Sequence, residues 1–368
     1  MKFTIRKNEL TEIANTIAGV LPKKNIKPIL SGVLISNENG KITFVASDME
    51  SAIRIDSDAF DISGKGKHVV DAETLREVAK NAFSEEIAIN IESNKAIAHI
   101  GKGNIKIPVI NADDYPDIEF ADKGEEIQLP AKITQELISD VLFCASTDEM
   151  SRNLNGVLWE FEGNYLRMVT ADTYRMAVAE KRIERISTGN INIFASLKTM
   201  KMMQKLIKKD LVIRYDTKKI ILKQGNITFS ARLMDVNFPN YKAVLPDSFA
   251  TEIKVNKKEL TDAIKLISVI AKNQGDTVKI DIKNNVMVAS ARSADRGDGE
   301  VSIEIEHEGG DIIVAFDPAF ILDVLKSLDE KEVSMKFVDA ENALQMQSSD
   351  KVLYIVMPVK MRDEKVVK

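Results

Sequence analysis

Two hydrophobic patterns alternate along the chain. In the first, a short apolar run leads into apolar positions that recur every three or four places, as in residues 69–83, 194–207 and 314–328. This spacing predicts an amphipathic helix in each segment. The second pattern, an alternation of apolar and polar residues between turns rich in Asn, Gly, Asp and Lys, follows each helix, in residues 87–110, 211–233 and 333–357. Such alternation predicts antiparallel sheet with one face in water, so we expect an α+β fold.

Residues at the helix starts support these assignments. Ser196 and Asp317 stand where an N-cap is expected, because their side-chain oxygens can accept from the first free backbone N–H groups. Pro318 fits the first turn of the helix that follows Asp317, where its missing N–H costs nothing. Helices are therefore expected to begin at these positions.

The chain also repeats itself at a long period. GVL at residues 32–34 returns at residues 156–158, about 124 positions later. The pair Tyr115-Pro116 returns as Phe238-Pro239 at nearly the same spacing, and Ser47-Asp48 returns as Ala171-Asp172. Three markers that keep one spacing indicate tandem copies of a single unit.

A third copy is indicated by the two ends of the sequence. IRKNELTEI at residues 5–13 resembles VNKKELTDA at residues 255–263, about twice the period away. Each of the three repeated domains is expected to hold two helices packed on antiparallel sheets, which gives six helices. Three tandem domains are therefore expected, at residues 1–124, 125–250 and 251–368.

Composition narrows the class of protein. The 368 residues are 44% hydrophobic and 29% charged, as in a globular protein, and the net charge is -5. A lone Cys144 excludes an internal disulfide. Because no apolar run reaches the roughly 18 residues of a membrane helix and the start has no secretory signal, we expect a cytoplasmic protein without a membrane partner.

One predicted helix carries its charge on a single face. In residues 196–210, five lysines fall within an arc about 100° wide at helical spacing. They are Lys198, Lys201, Lys205, Lys208 and Lys209. A lysine stripe of this kind is typical of a solvated helix face, and it also suits a sequence-blind contact with nucleic-acid phosphates. The pattern by itself leaves both interpretations open, although three equivalent domains could join such helices into one basic wall.

Candidate catalytic chemistry is sparse. The histidines, His68, His99 and His307, have no second histidine or cysteine at metal-ligand spacing. The GKGN turn at residues 101–104 lacks the spacing of a phosphate-binding loop, and Cys144 lies among apolar neighbours as a small core residue. We therefore expect neither catalysis nor a metal or cofactor.

A set of motifs along the chain resembles one known family. The motifs are MKFTI at the start, KPIL at residues 27–30, NLNG at 153–156, ADTYRMA at 171–177, FPNYKAVLP at 238–246, FILDVLKSL at 320–328 and YIVMPVK at 354–360. Together, in order and from residue 1 to about 361, they resemble the bacterial sliding clamps, the beta subunits of DNA polymerase III.

The resemblance implies half of a closed ring. Two chains would meet head to tail around duplex DNA, with helices lining the hole, and the clamp would tether a polymerase without doing chemistry. The implied partners are double-stranded DNA of any sequence, a second copy of the chain, the polymerase III alpha subunit, the clamp loader complex, repair polymerases and ligase. Encirclement also agrees with an acidic pI, because a ring that slides requires only weak phosphate contacts.

Three sets of site residues follow from the resemblance. The DNA-facing positions are Lys24, Lys80, Arg152 and Lys198, to which the helical spacing adds Lys201 and Lys205. The partner-peptide cleft maps to Leu154, Ala171, Thr173, Arg175, Met176, Pro239, Val244, Phe320, Ile355, Met357, Pro358 and Val359. The dimer interface maps to Ile105 and Ile107 against Val269 and Ile270, with Lys102 or Lys106 facing Asp298 and Glu300.

Two positions depart from the family pattern. The aromatic pair common before Leu-Asn-Gly is replaced by Arg152-Asn153, so a positive charge stands where a ring would stack. The chain also continues after the Met-Pro turn as RDEKVVK, residues 362–368, a charged tail next to the cleft segment.

Two other classes of protein remain open on the sequence alone. One is a three-domain interaction scaffold that never touches DNA, and the other is an enzyme with an unrecognised carboxylate site.

Overall fold

The computed structural model describes residues 1–22, 27–120, 124–184, 190–272, 277–349 and 352–360. Within these ranges the chain forms six helices: α1 (Lys7–Ile17), α2 (Ala72–Asn81), α3 (Ala131–Val141), α4 (Leu197–Leu206), α5 (Lys257–Ala271) and α6 (Pro318–Ser327). The prediction of an α+β chain with six helices is confirmed for the described residues. None of these helices has both the length and the apolar character required to cross a bilayer.

The strands fall into three runs along the chain. The first run is β1 (Lys2–Arg6), β2 (Gly32–Glu38), β3 (Lys41–Ser47), β4 (Ser51–Asp56), β5 (Phe60–Ser63), β6 (Gly66–Asp71), β7 (Glu86–Ile91), β8 (Lys95–Ile100) and β9 (Gly103–Asn111). The second is β10 (Glu125–Leu129), β11 (Gly156–Glu162), β12 (Tyr165–Ala171), β13 (Arg175–Arg182), β14 (Ile191–Ser196), β15 (Leu211–Tyr215), β16 (Lys219–Gln224) and β17 (Ile227–Arg232). The third is β18 (Thr251–Asn256), β19 (Val278–Lys283), β20 (Val286–Ser293), β21 (Gly297–Glu304), β22 (Glu306–Gly309), β23 (Ile312–Phe316), β24 (Glu332–Phe337), β25 (Leu344–Ser349) and β26 (Val352–Val356).

Helices α4 and α6 begin at the capping residues that the sequence predicts. The Asp317 side chain accepts from the N–H of Ala319 at 2.8 Å, and Pro318 is the first helical residue of α6. The Ser196 hydroxyl accepts from the N–H of Thr199 at 3.2 Å at the start of α4. Both caps are confirmed, and Asn256 makes an equivalent cap on α5.

The end of α4 differs from the prediction. The helix stops at Leu206, so Lys208 and Lys209 lie beyond it and do not extend the lysine stripe. The Gln224 side chain explains the stop, because its oxygen accepts from the Lys208 N–H at 3.0 Å and its NH2 group donates to the Lys209 carbonyl at 2.6 Å. These bonds to β16 replace the next helical turn, which leaves Lys198, Lys201 and Lys205 on the helix.

The fold comprises two compact units, and the first contains Met1–Lys132 and Lys201–Asp235. Its 13 strands form one sheet in the order β10-β15-β16-β17-β4-β3-β2-β6-β9-β8-β7-β1-β5. Strand β17 pairs antiparallel with β4, which joins strands from the first two predicted domains edge to edge. Phe3 and Phe44 are buried in this unit and meet edge to face, with ring centroids 6.3 Å apart.

The second unit contains Ile133–Met200 and the chain from Val236 onward. It holds a nine-stranded sheet, β14-β11-β12-β13-β26-β25-β24-β18-β22, and a four-stranded sheet, β21-β20-β19-β23. Here β26 pairs antiparallel with β13, as β17 does with β4 in the first unit. Trp159 and Tyr354 are fully buried in this unit. The arrangement of paired strand ends and their connecting turns positions the site described next.

Candidate peptide-binding cleft

A tight turn between β12 and β13 forms one side of the cleft. The Asp172 carboxylate accepts from the backbone N–H groups of Tyr174 and Arg175, each at 2.8 Å, and the Asp172 N–H donates to the Arg175 carbonyl at 2.9 Å. An aspartate that bonds its own following backbone fixes a turn without further support. The side chains of residues 171–176 are therefore held in set directions.

Strand pairing brings a distant segment beside this turn. Met176 lies opposite Ile355 in the register of β13 and β26, and the Met357 N–H donates to the Tyr174 carbonyl at 2.8 Å. Two residues on, the Val359 N–H donates to the carbonyl of Ala315 at the same distance. Residues from two of the predicted domains therefore share one surface.

A short 3-10 turn, Tyr241–Val244, contributes another wall. The buried Tyr241 donates its phenolic O–H to the Glu160 carboxylate at 2.6 Å, and Glu160 also accepts from Arg167 at 3.2 Å. Burial, and secondarily the bond to Glu160, raise the pKa of Tyr241, so the hydroxyl stays a donor at neutral pH. The network holds the wall that carries Val244, which is 60% exposed.

The floor of the cleft is apolar. Five side chains form one buried cluster: Val169, Met176, Tyr241, Ala343 and Ile355. Partly buried Ala171, Phe238 and Leu245 pack against it. Met357 stands at the rim and is 38% exposed, where a flexible thioether side chain can adapt to different apolar groups.

Arg175 links the charged and aromatic sides of the cleft. Its guanidinium forms ion pairs with Asp172 at 3.1 Å and Asp323 at 2.6 Å, and it donates to the Phe143 carbonyl at 3.1 Å. It also lies over the Phe320 ring, 4.8 Å from the centroid. Burial opposes its charge, but the hydrogen bonds to the two aspartates outweigh that effect and raise the pKa of Arg175. The residue is a rigid, permanently charged part of the wall.

The geometry brings most of the predicted cleft residues together within one unit. Ala171, Arg175 and Met176 meet Ile355 and Met357 through strand register, while Leu154 is half-buried in the turn before β11 and Thr173 is exposed. Sequence reasoning missed Tyr174, which is 54% exposed and stacks on Phe320 at 5.6 Å between centroids. It also missed the floor residue Ala343. The Asp-x-Tyr-Arg turn was the signal for Tyr174, whereas nothing local marks Ala343.

The predicted DNA-facing residues occupy different elements. Lys80 is exposed in the last turn of α2, Lys201 and Lys205 are exposed on α4, and Lys198 is half-buried. Arg152 is exposed in the turn that precedes β11. Lys24 lies outside the described residues, as does the charged tail at 362–368. The apolar face of α4, which includes Met200 and Met203, is core as predicted.

The predicted dimer residues differ in exposure. Ile105 on β9 is 44% exposed and Val269 on α5 is 53% exposed, while Ile270 is half-buried. Ile107 is only 1% exposed, because it lies opposite buried Ala96 where β9 runs inside its own sheet. Ile107 therefore offers no free surface, and Ile105 is the apolar residue that this strand presents.

The cysteine and histidine side chains considered for chemistry have structural positions in the fold. Cys144 is buried, and burial raises the pKa of its thiol, so it is a core side chain as predicted. His68 is paired within the sheet, and burial lowers its pKa. Among the residues that the structure describes, no group of three or more His, Cys, Asp and Glu side chains could hold a metal ion.

These features define a class, an α+β protein of repeated domains whose strands join edge to edge and leave an apolar cleft beside one junction. Comparison with known proteins gives the family. Models of the N-terminal, central and C-terminal domains of the DNA polymerase III beta subunit match residues 1–119, 128–240 and 242–360. The chain belongs to this family, the beta sliding clamps.

Individual relatives agree over almost the whole chain. The structure of the beta subunit from Thermotoga maritima is 33% identical, with a TM-score of 0.93, covering 98% of this chain and 100% of that one. The curated beta sliding clamp of Bacillus subtilis is 26% identical over 376 residues, with 98% and 100% coverage. The resemblance stated from the sequence and the expected fold of three tandem clamp domains are confirmed. The domain boundaries at 124 and 250 remain predictions.

Proposed function

We propose that this chain is a processivity factor in DNA replication, in which two copies close into a ring around duplex DNA and tether the polymerase. The observation that carries the proposal is the match of three successive beta-subunit domain models to one chain, in family order. In this proposal the chain itself catalyses no reaction, needs no cofactor and works in the cytoplasm.

The proposed DNA contacts are weak and blind to sequence. Lys80, Lys201 and Lys205 expose ammonium groups on helices, and Arg152 exposes a guanidinium on a turn. Such groups neutralise phosphates without reading base edges. With a net charge of -5, the chain as a whole does not attract DNA strongly, which suits a ring that holds DNA by enclosure and slides.

Ring closure is proposed from the pairing rule within the chain. β17 pairs with β4, and β26 pairs with β13, so twice a late strand of one domain joins an earlier domain. The same rule would pair the first part of β9, Gly103–Lys106, with β21 of another chain, because among the described strands this part pairs only with β8, and β21 is an edge strand. Exposed Lys102 and Lys106 on or beside β9 would then face exposed Asp298 and Glu300 on β21. Such pairing would also cover a free sheet edge.

The cleft is proposed to bind short peptide segments of partner proteins. Its apolar floor and its Met357 rim suit a peptide with Leu or Phe anchors, because such side chains fill apolar pockets and the rim can repack. The proposed partners are the polymerase III alpha subunit, the clamp loader complex, repair polymerases and ligase. One cleft used in turn by several proteins would make the ring a shared dock.

Retention on DNA tests the encirclement. Purified protein is loaded with a clamp loader onto nicked circular DNA, and its release is followed before and after the circle is cut. We expect retention on the circle and rapid loss from the linear molecule, because only enclosure depends on DNA ends. Equal release rates from both forms would reject the ring and favour a scaffold or an ordinary DNA-binding protein.

A further inference from the structure

The first unit contains a second copy of the cleft turn. The Asp48 carboxylate accepts from the N–H groups of Glu50 and Ser51 at 3.0 and 2.6 Å, and the Asp48 N–H donates to the Ser51 carbonyl at 3.1 Å. The same three bonds join Asp172 to Tyr174 and Arg175 in the cleft. The turn between β3 and β4 therefore has the same hydrogen bonds as the turn between β12 and β13, although Met49 in the first turn has a φ of 77°.

The neighbouring strands are copied as well. Ala52 lies opposite Ser230 in the pairing of β4 with β17, as Met176 lies opposite Ile355 in β13 with β26. The Arg232 N–H donates to the Glu50 carbonyl at 2.8 Å, as the Met357 N–H does to the Tyr174 carbonyl. A groove with the same strand pairing therefore lies within the first unit.

The third wall has a counterpart too. Tyr115 and Ile118 pack with Leu34 and Val45, which are paired strand residues. In the cleft, Phe238 and Tyr241 pack with Leu158 and Val169, which are paired in the same way. The segment from Pro116 to Glu119 lines the groove, which encloses about 130 Å³.

The side chains of the two grooves differ in chemistry. Four apolar positions of the cleft are small or polar in the first unit: Met176 corresponds to Ala52, Ala343 to Lys219, Ile355 to Ser230 and Met357 to Arg232. Ser230 is 7% exposed, so a hydroxyl replaces a buried aliphatic group in the floor. Arg232 is 3.8 Å from Glu50, so an ion pair stands where the cleft has its adaptable rim. Covering these polar groups with an apolar anchor would cost their desolvation without a compensating hydrogen bond.

We infer that the groove of the first unit repeats the strand pairing of the docking cleft but does not bind apolar peptides, and that these four pairs of positions decide which groove accepts such a peptide. The inference rests on the proposed peptide-docking function. It names Ala343 as a specificity determinant alongside residues of the cleft that the sequence had indicated. It also explains in physical terms why a repeated fold offers one apolar dock per chain.

A transplant of the four positions tests the inference. The full chain carrying Ala52→Met, Lys219→Ala, Ser230→Ile and Arg232→Met is titrated calorimetrically with a synthetic Leu-Ser-Leu-Phe peptide. The parent is expected to bind one peptide per chain and the variant two, because the strand pairing of the groove already matches that of the cleft. A matched control, Lys219→Gln with Arg232→Gln, removes the charges but keeps polarity and is expected to stay at one.

The outcomes separate the inference from the function on which it rests. A parent that binds no peptide would reject peptide docking itself. A parent that binds two peptides, or a folded variant that still binds one, would overturn the inference alone.

A reverse exchange covers the case in which the buried substitutions prevent folding. Met357→Arg changes the cleft only at its rim, where the side chain is 38% exposed, and is expected to lower peptide affinity at least tenfold. Parent-like affinity in this variant would also overturn the assignment.

Discussion

Removal of one hydroxyl at Tyr241 tests whether the wall of the cleft is held by its hydrogen-bond network. Tyr241→Phe deletes the 2.6 Å bond to Glu160 and leaves the buried ring in place. A hydrogen bond to a charged group contributes about 1.5–3 kcal/mol to stability. The low end applies here, since Glu160 keeps its bond to Arg167 at 3.2 Å and is not left unpaired. We expect a loss of about 1.5 kcal/mol in the free energy of unfolding.

The same change is expected to weaken peptide binding. The turn that holds Tyr241 also carries Val244 at the cleft wall, so loosening it forces the peptide to order the wall. If the whole 1.5 kcal/mol is transferred, affinity falls about tenfold. Peptide titration and urea unfolding measure the two effects on one sample. Tyr165→Phe is the matched control, because that tyrosine is 46% exposed on the surface of the same sheet.

Two results would refute this reasoning. Unfolding of Tyr241→Phe at the same urea concentration as the parent would mean that water replaces the Glu160 bond without cost. A loss of stability with unchanged peptide affinity would show that the wall is held by packing of Phe238 against the Phe194 ring, 5.5 Å away.

Four further predictions address pH, the cleft, DNA and the dimer. Burial raises the pKa of Asp140 to about 6, so the protonated form of Asp140 favours the fold and its contribution to stability is lost as pH rises through 6. Asp140→Asn should therefore stabilise the chain at pH 8 by roughly 1 to 2 kcal/mol, after allowance for solvent screening, but not at pH 4. Thermal unfolding at the two pH values measures the difference. Met357→Ala with Pro239→Ala should weaken peptide binding tenfold or more in calorimetry while the particle mass stays that of the parent; unchanged affinity would count against the cleft assignment. Lys201→Glu should slow loading of the protein onto DNA and reduce the salt dependence of that loading. Loading at the rate of the parent would mean that this lysine is only a solvated surface residue. Ile105→Asp should shift the mass measured by light scattering from dimer towards monomer, because it places a charge on the proposed apolar contact, and a stable dimer would place the interface elsewhere.

The sequence was informative where local chemistry decides the structure. The caps at Ser196 and Asp317, the apolar face of α4 and the buried Cys144 follow from neighbours a few residues away, so they could be predicted. Prediction went wrong at the end of α4 because the residue that stops the helix, Gln224, comes from a later strand. The burial of Ile107 likewise depends on a sheet partner, Ala96, which is distant in the sequence. The place of Ile107 at the dimer interface stays a prediction.

The cleft shows the same division between local and distant causes. The turn at Asp172 is determined by adjacent residues, and the family motifs marked most of the cleft positions. Ala343 carried no such mark, since its place in the cleft depends on which strands pair and which side chains then face each other. Tyr174 lies inside the motif at residues 171–177 but was not assigned to the cleft, because its stacking on Phe320 arises only in the tertiary structure.

By itself the sequence determined the repeat, the elements and the family, because periodicity, capping and ordered motifs are properties of neighbouring residues. Only the tertiary structure decided which of two equivalent grooves is apolar. Strand register places Ile355 beside Met176 in one groove and Ser230 beside Ala52 in the other. Residues so far apart in the chain become neighbours only through backbone pairing, and the contrast between the grooves exists only once that pairing has formed.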